Sequence, residues 1–248
     1  MQGIQMSNSE YQISDKELAR CIDHTLLAAT TTTEQIVRLC EEAKDYGFHT
    51  VCVNGRWVAL AAELLSGSKV AVGGVVSLPL GADTTKIKVA QAKEAIFAGA
   101  DEIDMVADLA AIIDGDAAYL LSQLHSVLKV CRSMRPPVLF KVIIESAALT
   151  REQKIFACEI AQHAGVDFIK TSTGLHPAGG ATIEDVKLMK ETAPKCRIKA
   201  AGGIRTAKQA LEILEAGAER IGTSSGVQII NELRAGELND NGNGCQGE

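Results

Sequence analysis

The apolar positions of this chain change period repeatedly. Short runs rich in β-branched residues alternate with longer stretches where apolar residues return every three or four positions. Strand-like runs stand at "CIDHTL" (21–26), "HTVCVN" (49–54), "VAVGGVVS" (70–77), "EIDMVA" (102–107), "VLFKVIIE" (138–145), "FIKTST" (168–173), "RIKAAG" (197–202) and "RIGTS" (220–224). Helical period fills the gaps, in "TTEQIVRLCEEAKDYG", "WVALAAELLSG", "DTTKIKVAQAKEAIFAG", "DAAYLLSQLHSVLKVCRSM", "TREQKIFACEIAQHAG", "TIEDVKLMKETA" and "TAKQALEILEAG". Several of these open on threonine and close on glycine, the usual helix punctuation. "YGFHTV", "AGVDFI" and "AGAERI" each run from a helix-ending glycine through a short loop into a strand.

Strands separated by helices must run parallel, because the crossover is long. About eight such units fit a closed (β/α)₈ barrel, whose typical length is about 250 residues. The competing open, doubly wound sheet calls for G-x-G-x-x-G after the first strand. Here that strand leads into "LLAATTT". With no linker and no shift in composition, residues 1–248 read as one α/β barrel domain, its core at about 15–236 behind a short N-terminal helix. The polar segments 1–14 and 237–248 are expected to be flexible.

Composition narrows the partners. The chain is 46% hydrophobic, enough for a substantial core, and its net charge of −6 lacks the basic footprint of a nucleic-acid binder. The 7 cysteines are odd in number and form no C-x-x-C pair, which argues against a disulfide framework or a zinc ribbon. The 5 histidines show no zinc-site spacing. Neither a signal-peptide core nor an apolar run of about 20 residues is present, so no membrane partner is expected and a cytoplasmic location is the default.

The informative residues are charges inside strands. Asp23, Asp104, Lys141, Glu145, Lys170 and Lys199 all fall in predicted strands. A strand lysine ordinarily snorkels to a rim or pairs with a carboxylate, and Lys141 with Glu145, on one face by even spacing, is expected to form such a pair. Lys170 and Lys199 lie one strand–helix unit apart, which in a barrel places their strands about 4.8 Å apart. Mutual repulsion and an apolar wall would both disfavour the charged form of these amines. A neutral lysine attacks carbonyls to form a Schiff base, and an aspartate nearby can relay protons.

Glycine-rich turns follow the last three strands: "TSTG" (171–174), "AAGGIRT" (200–206) and "GTSSG" (222–226). Such turns at helix starts offer backbone N–H groups to an anion, and barrels often hold phosphate after strands seven and eight. Arg205 is placed to hold the anion or to cap its loop. "GTSSG" also matches the serine-hydrolase elbow, but no histidine follows His176, so the required order of acid and histidine is missing. His24 and His176 are candidates to line a site; His49, His125 and His163 read as surface or loop residues.

The motifs "IDHTLL", "VCVN", "GADEIDMV", "KVIIE", "DFIKTSTG" and "GGIRT" occur in one order, and with them residues 18 to 235 resemble the deoxyribose-phosphate aldolase family of class I, Schiff-base aldolases. The resemblance implies a (β/α)₈ barrel that reversibly splits 2-deoxy-D-ribose 5-phosphate into D-glyceraldehyde 3-phosphate and acetaldehyde in deoxyribonucleoside catabolism, without metal or cofactor. It implies Lys170 as the Schiff-base lysine, Lys199 as the second active-site lysine and Asp104 as the proton-relay acid. Gly174, Gly202, Gly203, Arg205, Ser224 and Ser225 fall on the phosphate contacts, and Asp23, Lys141 and Cys52 are supporting candidates. A homo-oligomer, dimer or tetramer, is also implied. Ala201 stands where the family usually has serine, "SLPLG" replaces a common "FPLG", Leu175 stands where phenylalanine is frequent, and the tail lacks a terminal tyrosine. None of these departures removes a catalytic group. An isomerase, or a non-catalytic phosphosugar-binding barrel, would share the glycine turns.

Overall fold

The computed structural model describes residues 13–242. Eight parallel strands close into a barrel in chain order: β1 (Ile22–Leu26), β2 (Thr50–Val53), β3 (Ala71–Val76), β4 (Glu102–Val106), β5 (Leu139–Ile143), β6 (Phe168–Lys170), β7 (Arg197–Ala201) and β8 (Arg220–Thr223). Helices α1 (Asp15–Ala19), α2 (Thr33–Tyr46), α3 (Val58–Leu64), α4 (Thr85–Phe97), α5 (Leu109–Asp114), α6 (Ala117–Ser133), α7 (Arg151–Ala164), α8 (Ile183–Thr192), α9 (Ala207–Glu215) and α10 (Gly226–Gly242) lie between or beside them. All eight predicted strands are present, each trimmed at one or both ends. The expected flexible segments fall outside the described residues for 1–12 and 243–248. Ser14 is instead the N-cap of α1, and from 237 to Gly242 the expected tail is the end of α10.

Local chemistry accounts for the boundaries. Thr32, Thr150 and Thr206 each close a capping box with a glutamine three residues on. Gly47 and Gly165 end α2 and α7 in the left-handed conformation. The largest trim is at β6, predicted to reach residue 173 but ending at Lys170. There the hydroxyl of Thr171 accepts from the amide of Ala201 at 3.1 Å and donates to its carbonyl at 3.3 Å. A side chain thus takes over ladder bonds that the backbone would have made. Helix α5 has no counterpart in the predicted elements. Asp108 caps it by accepting from the Ala111 amide at 3.1 Å, and Gly115 ends it.

The strands carry an inverted pattern. Val51, Ile103, Val142, Ile169, Ile198 and Ile221 are buried in the apolar layer beneath the helices. Their neighbours of opposite parity, Thr50, Glu102, Asp104, Lys141, Lys170, Lys199 and Arg220, are also buried and meet one another within the barrel. Burying this much charge is tolerable only if every group is paired. Space matters as well: a Cβ on Gly222 would lie 3.1 Å from Cε of Lys199, so glycine there makes room for the lysine stem.

Above β4, the segment Ser77–Gly81 presses on the strand's end, with the Gly81 amide donating to the Ser77 carbonyl at 2.8 Å. Gly81 has φ +69°, and a Cβ there would stand 2.1 Å from the Ala107 carbonyl oxygen and 2.9 Å from Cγ1 of Val106. Gly81→Ala is therefore expected to destabilise the barrel by about 2–4 kcal/mol through backbone strain and overpacking. Equilibrium urea unfolding followed by circular dichroism measures it, and an unchanged midpoint would show that the β4 end yields.

Candidate active site

Strand register assembles the charged cluster. Asp104 pairs with Lys141 across β4 and β5, and Lys170 with Lys199 across β6 and β7. The three lysine side chains converge on one carboxylate. Lys141 donates to Oδ1 of Asp104 at 2.8 Å; Lys170 and Lys199 donate to Oδ2 at 2.9 and 2.8 Å. Burial opposes charge on Asp104, but Lys141, Lys170 and Lys199 outweigh it and hold the carboxyl well below the usual range. Lys199 also lies 2.5 Å from Oδ2 of Asp23.

The lysine–lysine expectation is corrected here for Lys199. Burial alone would drive it toward the neutral amine, yet Asp104 and Asp23 more than compensate and push it well above the ordinary lysine range. The two lysines share a carboxylate instead of confronting each other, so Lys199 is a held cation. Lys141 likewise sits above the ordinary range: burial lowers it, and Asp104 and Glu102 prevail.

The expected Lys141–Glu145 pair does not form. Strand β5 ends at Ile143, and Glu145 turns into the left-handed region at φ 53°. Its carboxylate accepts from the Thr173 amide, at 3.2 Å to each oxygen, tying the end of β5 to the loop after β6. Lys141 instead meets Glu102 at 2.5 Å and Asp104 at 2.8 Å, with Asp23 at 3.9 Å. Cys52 places its Sγ 4.0 Å from Oδ2 of Asp104, and burial, then Asp104, pushes its thiol up.

Two cluster members escaped the sequence reading. Glu102 stands two residues before Asp104, and Arg220 opens β8. Arg220 donates to Oδ1 of Asp23 at 2.8 Å and lies 3.5 Å from Glu102. Their signal was parity: each shares the inward face with an assigned residue of its own or the neighbouring strand.

Above the cluster, at the C-terminal ends of the strands, opens a cavity of about 300 Å³. Lys170 lines it, and Asp104 and Lys199 lie beneath. Gly174, Gly202, Gly203, Arg205 and Ser224 line the same cavity. Ser225 does not; it lines a neighbouring groove, and its amide donates to the Thr223 hydroxyl at 2.9 Å. Leu26, Leu27 and Leu175 form an apolar side, and Ala201 also faces in. Leu78 lies elsewhere, in a pocket beside α4.

Close backbone approach shapes the glycine rim. A Cβ on Gly202, whose φ is +91°, would stand 2.8 Å from Cα of Gly180 and 3.3 Å from Cα of Gly174. The loop after β6 thus folds back onto the turn after β7, and only glycines permit the contact. His24, expected near a site, lies on the opposite parity from Asp23. It is buried against the Phe48 ring and meets Oε2 of Glu42 at 2.8 Å, outside the lysine cavity. His176 sits in the loop beyond Gly174, its Nδ1 accepting from the Ala178 amide at 3.1 Å. Among the described residues, no group of three or more His, Cys, Asp or Glu side chains is arranged to hold a metal ion, and no helix is long and apolar enough to cross a membrane.

The closed barrel and its lysine-lined cavity define the class of protein: a (β/α)₈-barrel enzyme with its site at the C-terminal ends of the strands. Residues 18–232 match the DeoC/LacD family aldolases, and the chain belongs to that family. It is 51% identical over 224 residues to the deoxyribose-phosphate aldolase of Thermococcus gammatolerans, covering 89% of this chain and 98% of that one. It is 47% identical over 226 residues to the deoxyribose-phosphate aldolase of Carboxydothermus hydrogenoformans, covering 91% and 99%. A tetrameric deoxyribose phosphate aldolase from Aeropyrum pernix superposes with a TM-score of 0.83 at 29% identity, over 90% of this chain and 93% of that one.

The cluster predicts its own weak point. Asp104→Asn leaves Lys141, Lys170 and Lys199 without their shared counter-charge, and is expected to cost about 3–5 kcal/mol of stability at neutral pH. Because the carboxyl is held low, this contribution is present above the ordinary carboxylate range and fades as pH falls through the folded value. Urea unfolding of both proteins at pH 7 measures the difference; a gap under about 1 kcal/mol would show that the lysines find other partners.

Proposed function

We propose that this chain catalyses the reversible aldol cleavage of 2-deoxy-D-ribose 5-phosphate to D-glyceraldehyde 3-phosphate and acetaldehyde through a Schiff base on Lys170. The observation that carries this reading is the lysine itself. Lys170 is buried, lines the cavity, and holds its amine 2.9 Å from an aspartate also bound by a second lysine. Relatives about half identical to the chain bear the name of this activity.

The free amine of Lys170 attacks C1 of the open-chain aldehyde. Loss of water from the carbinolamine leaves an iminium, which serves as the electron sink. Removal of the C3 hydroxyl proton lets the C2–C3 bond break; its electron pair moves into the iminium to give an enamine, and glyceraldehyde 3-phosphate departs. Protonation of the enamine at C2 and addition of water then release acetaldehyde and restore the amine. Asp104 and Lys199 move these protons through a water admitted with the substrate, a contribution of roughly 10²–10⁴-fold in general acid–base catalysis. Gly174, Gly202, Gly203, Arg205 and Ser224 receive the phosphate; binding there orients the reacting end. Ser225 contributes its place at the start of α10, near the positive end of the helix dipole. Asp23, Lys141 and Cys52 support the cluster. The enzyme works in the cytoplasm, without a cofactor, as a homo-oligomer.

Borohydride reduction in the presence of acetaldehyde is expected to leave an ethyl adduct on Lys170, read by peptide mass spectrometry; an adduct on Lys199 alone, or none, would sink the assignment. Arg205→Ala is expected to lower kcat/KM for the phosphorylated substrate by roughly 10–100-fold, the worth of a charged hydrogen bond. It should leave cleavage of 2-deoxyribose nearly unchanged. Equal losses on both substrates would argue against a phosphate role.

A further inference from the structure

Glu145 stands just past the end of β5, with its backbone in the left-handed region at φ 53° and ψ 58°. That conformation strains a long side chain; where only the turn matters, glycine or asparagine serves better. Glu145 is nevertheless wholly buried and its side chain is put to use. It reaches across to the loop after β6, where the Thr173 amide donates to both of its carboxyl oxygens at 3.2 Å. Glu145 does not line the cavity, whereas Thr173, Gly174 and Leu175 do. The contact is therefore made from behind the cavity wall.

Little else fixes this stretch of wall. As far as Thr171 the loop is stitched into the barrel: the Thr171 carbonyl accepts from the Ser146 amide at 2.8 Å, and its hydroxyl bonds the backbone of Ala201. Further on, the Leu175 amide donates to the Thr173 hydroxyl at 3.1 Å, a bond within the loop. Among the described residues, Glu145 is the one side chain from outside the loop that hydrogen-bonds to Thr173, Gly174 or Leu175. Gly174 follows at φ +80°, and a Cβ on it would come 3.6 Å from Cα of Gly202. The place of Gly174 thus sets the spacing of two glycine turns on one cavity. Backbone N–H groups bind an anion best when they are held in place before it arrives.

We infer that Glu145 is a positioning residue for the anionic end of the substrate: anchored at the end of β5, it holds the Thr173 amide and so sets where Gly174 stands opposite Gly202. This rests on the reading of the glycine rim as the phosphate site. The reach of the side chain, and not the backbone turn beneath it, is what binding uses.

The test compares three variants of the full chain by inhibition with inorganic phosphate and by the split of kcat and KM on deoxyribose 5-phosphate, with urea unfolding to establish that each is folded. Glu145→Gly and Glu145→Asn suit the left-handed turn but cannot span to Thr173. Each should weaken phosphate inhibition roughly tenfold and raise KM for the phosphorylated substrate by a similar factor, with a smaller change in kcat. The loss on 2-deoxyribose, which has no phosphate, should be smaller. Glu145→Gln keeps the length and an acceptor oxygen, and should restore most of the phosphate affinity. A residue that served only the turn would give the reverse order, with glycine and asparagine tolerated and glutamine no better. Unchanged phosphate inhibition in Glu145→Gly and Glu145→Asn, equal losses on both substrates, or a Glu145→Gln as weak as Glu145→Gly overturns the inference. Should one of the two short variants not fold, the other decides on the same readings. A wild type that phosphate does not inhibit sinks the phosphate-site reading itself, whereas an inhibited wild type beside an unchanged Glu145→Gly sinks this inference alone.

Discussion

Much of this molecule depends on one carboxylate shared by three lysines. Asp104 gives one oxygen to Lys141 and the other to Lys170 and Lys199. An isolated charge in such a place would cost several kcal/mol, so the barrel can carry charge inside only as a connected network. That constraint reaches outward. Glu102 and Asp23 exist to complete the pairing of Lys141 and Lys199, Arg220 anchors Asp23, and Gly222 leaves room for the Lys199 stem. The apolar residues of the same strands face the helices and supply the hydrophobic burial that the charged interior does not.

The cavity is built by different means. Its lower end is a side chain, Lys170, held from below; its rim is backbone, held by glycines that let the loops after β6 and β7 touch. Glu145 joins the two levels, because its carboxylate fixes the Thr173 amide one residue before Gly174. The floor of the cavity is thus set by buried ion pairs and its rim by close backbone contact, two separate means. The departures at Ala201 and Leu175 fall on the cavity wall and leave the cluster untouched.

Much of the fold was legible because its signals are local. Threonine caps, closing glycines and period-two runs depend on neighbours a few residues away, and all eight strands stand where the pattern puts them. Helix α5 was missed because it is short and follows its strand almost directly, its only markers being Asp108 and Gly115. Of the three lysines Lys86, Lys88 and Lys93, only Lys88 is buried, donating to the Val106 carbonyl and to Gln123, each at 2.9 Å. Nothing in its neighbours' identity separates it from the other two.

For the site, the sequence by itself determined which ionisable residues stand on strands, and so which could share an interior. It also placed the glycine turns after the last three strands, where the cavity opens. Tertiary structure alone decided who pairs with whom. Lys141 meets Glu102 and Asp104 because β5 ends before Glu145, His24 turns away because it is one residue out of phase with Asp23, and Lys199 keeps its charge because Asp104 lies between it and Lys170. Parity along a strand is a property of the backbone and can be read from one chain. The sign and size of an electrostatic interaction depend on distances across the barrel, which exist only once it has closed.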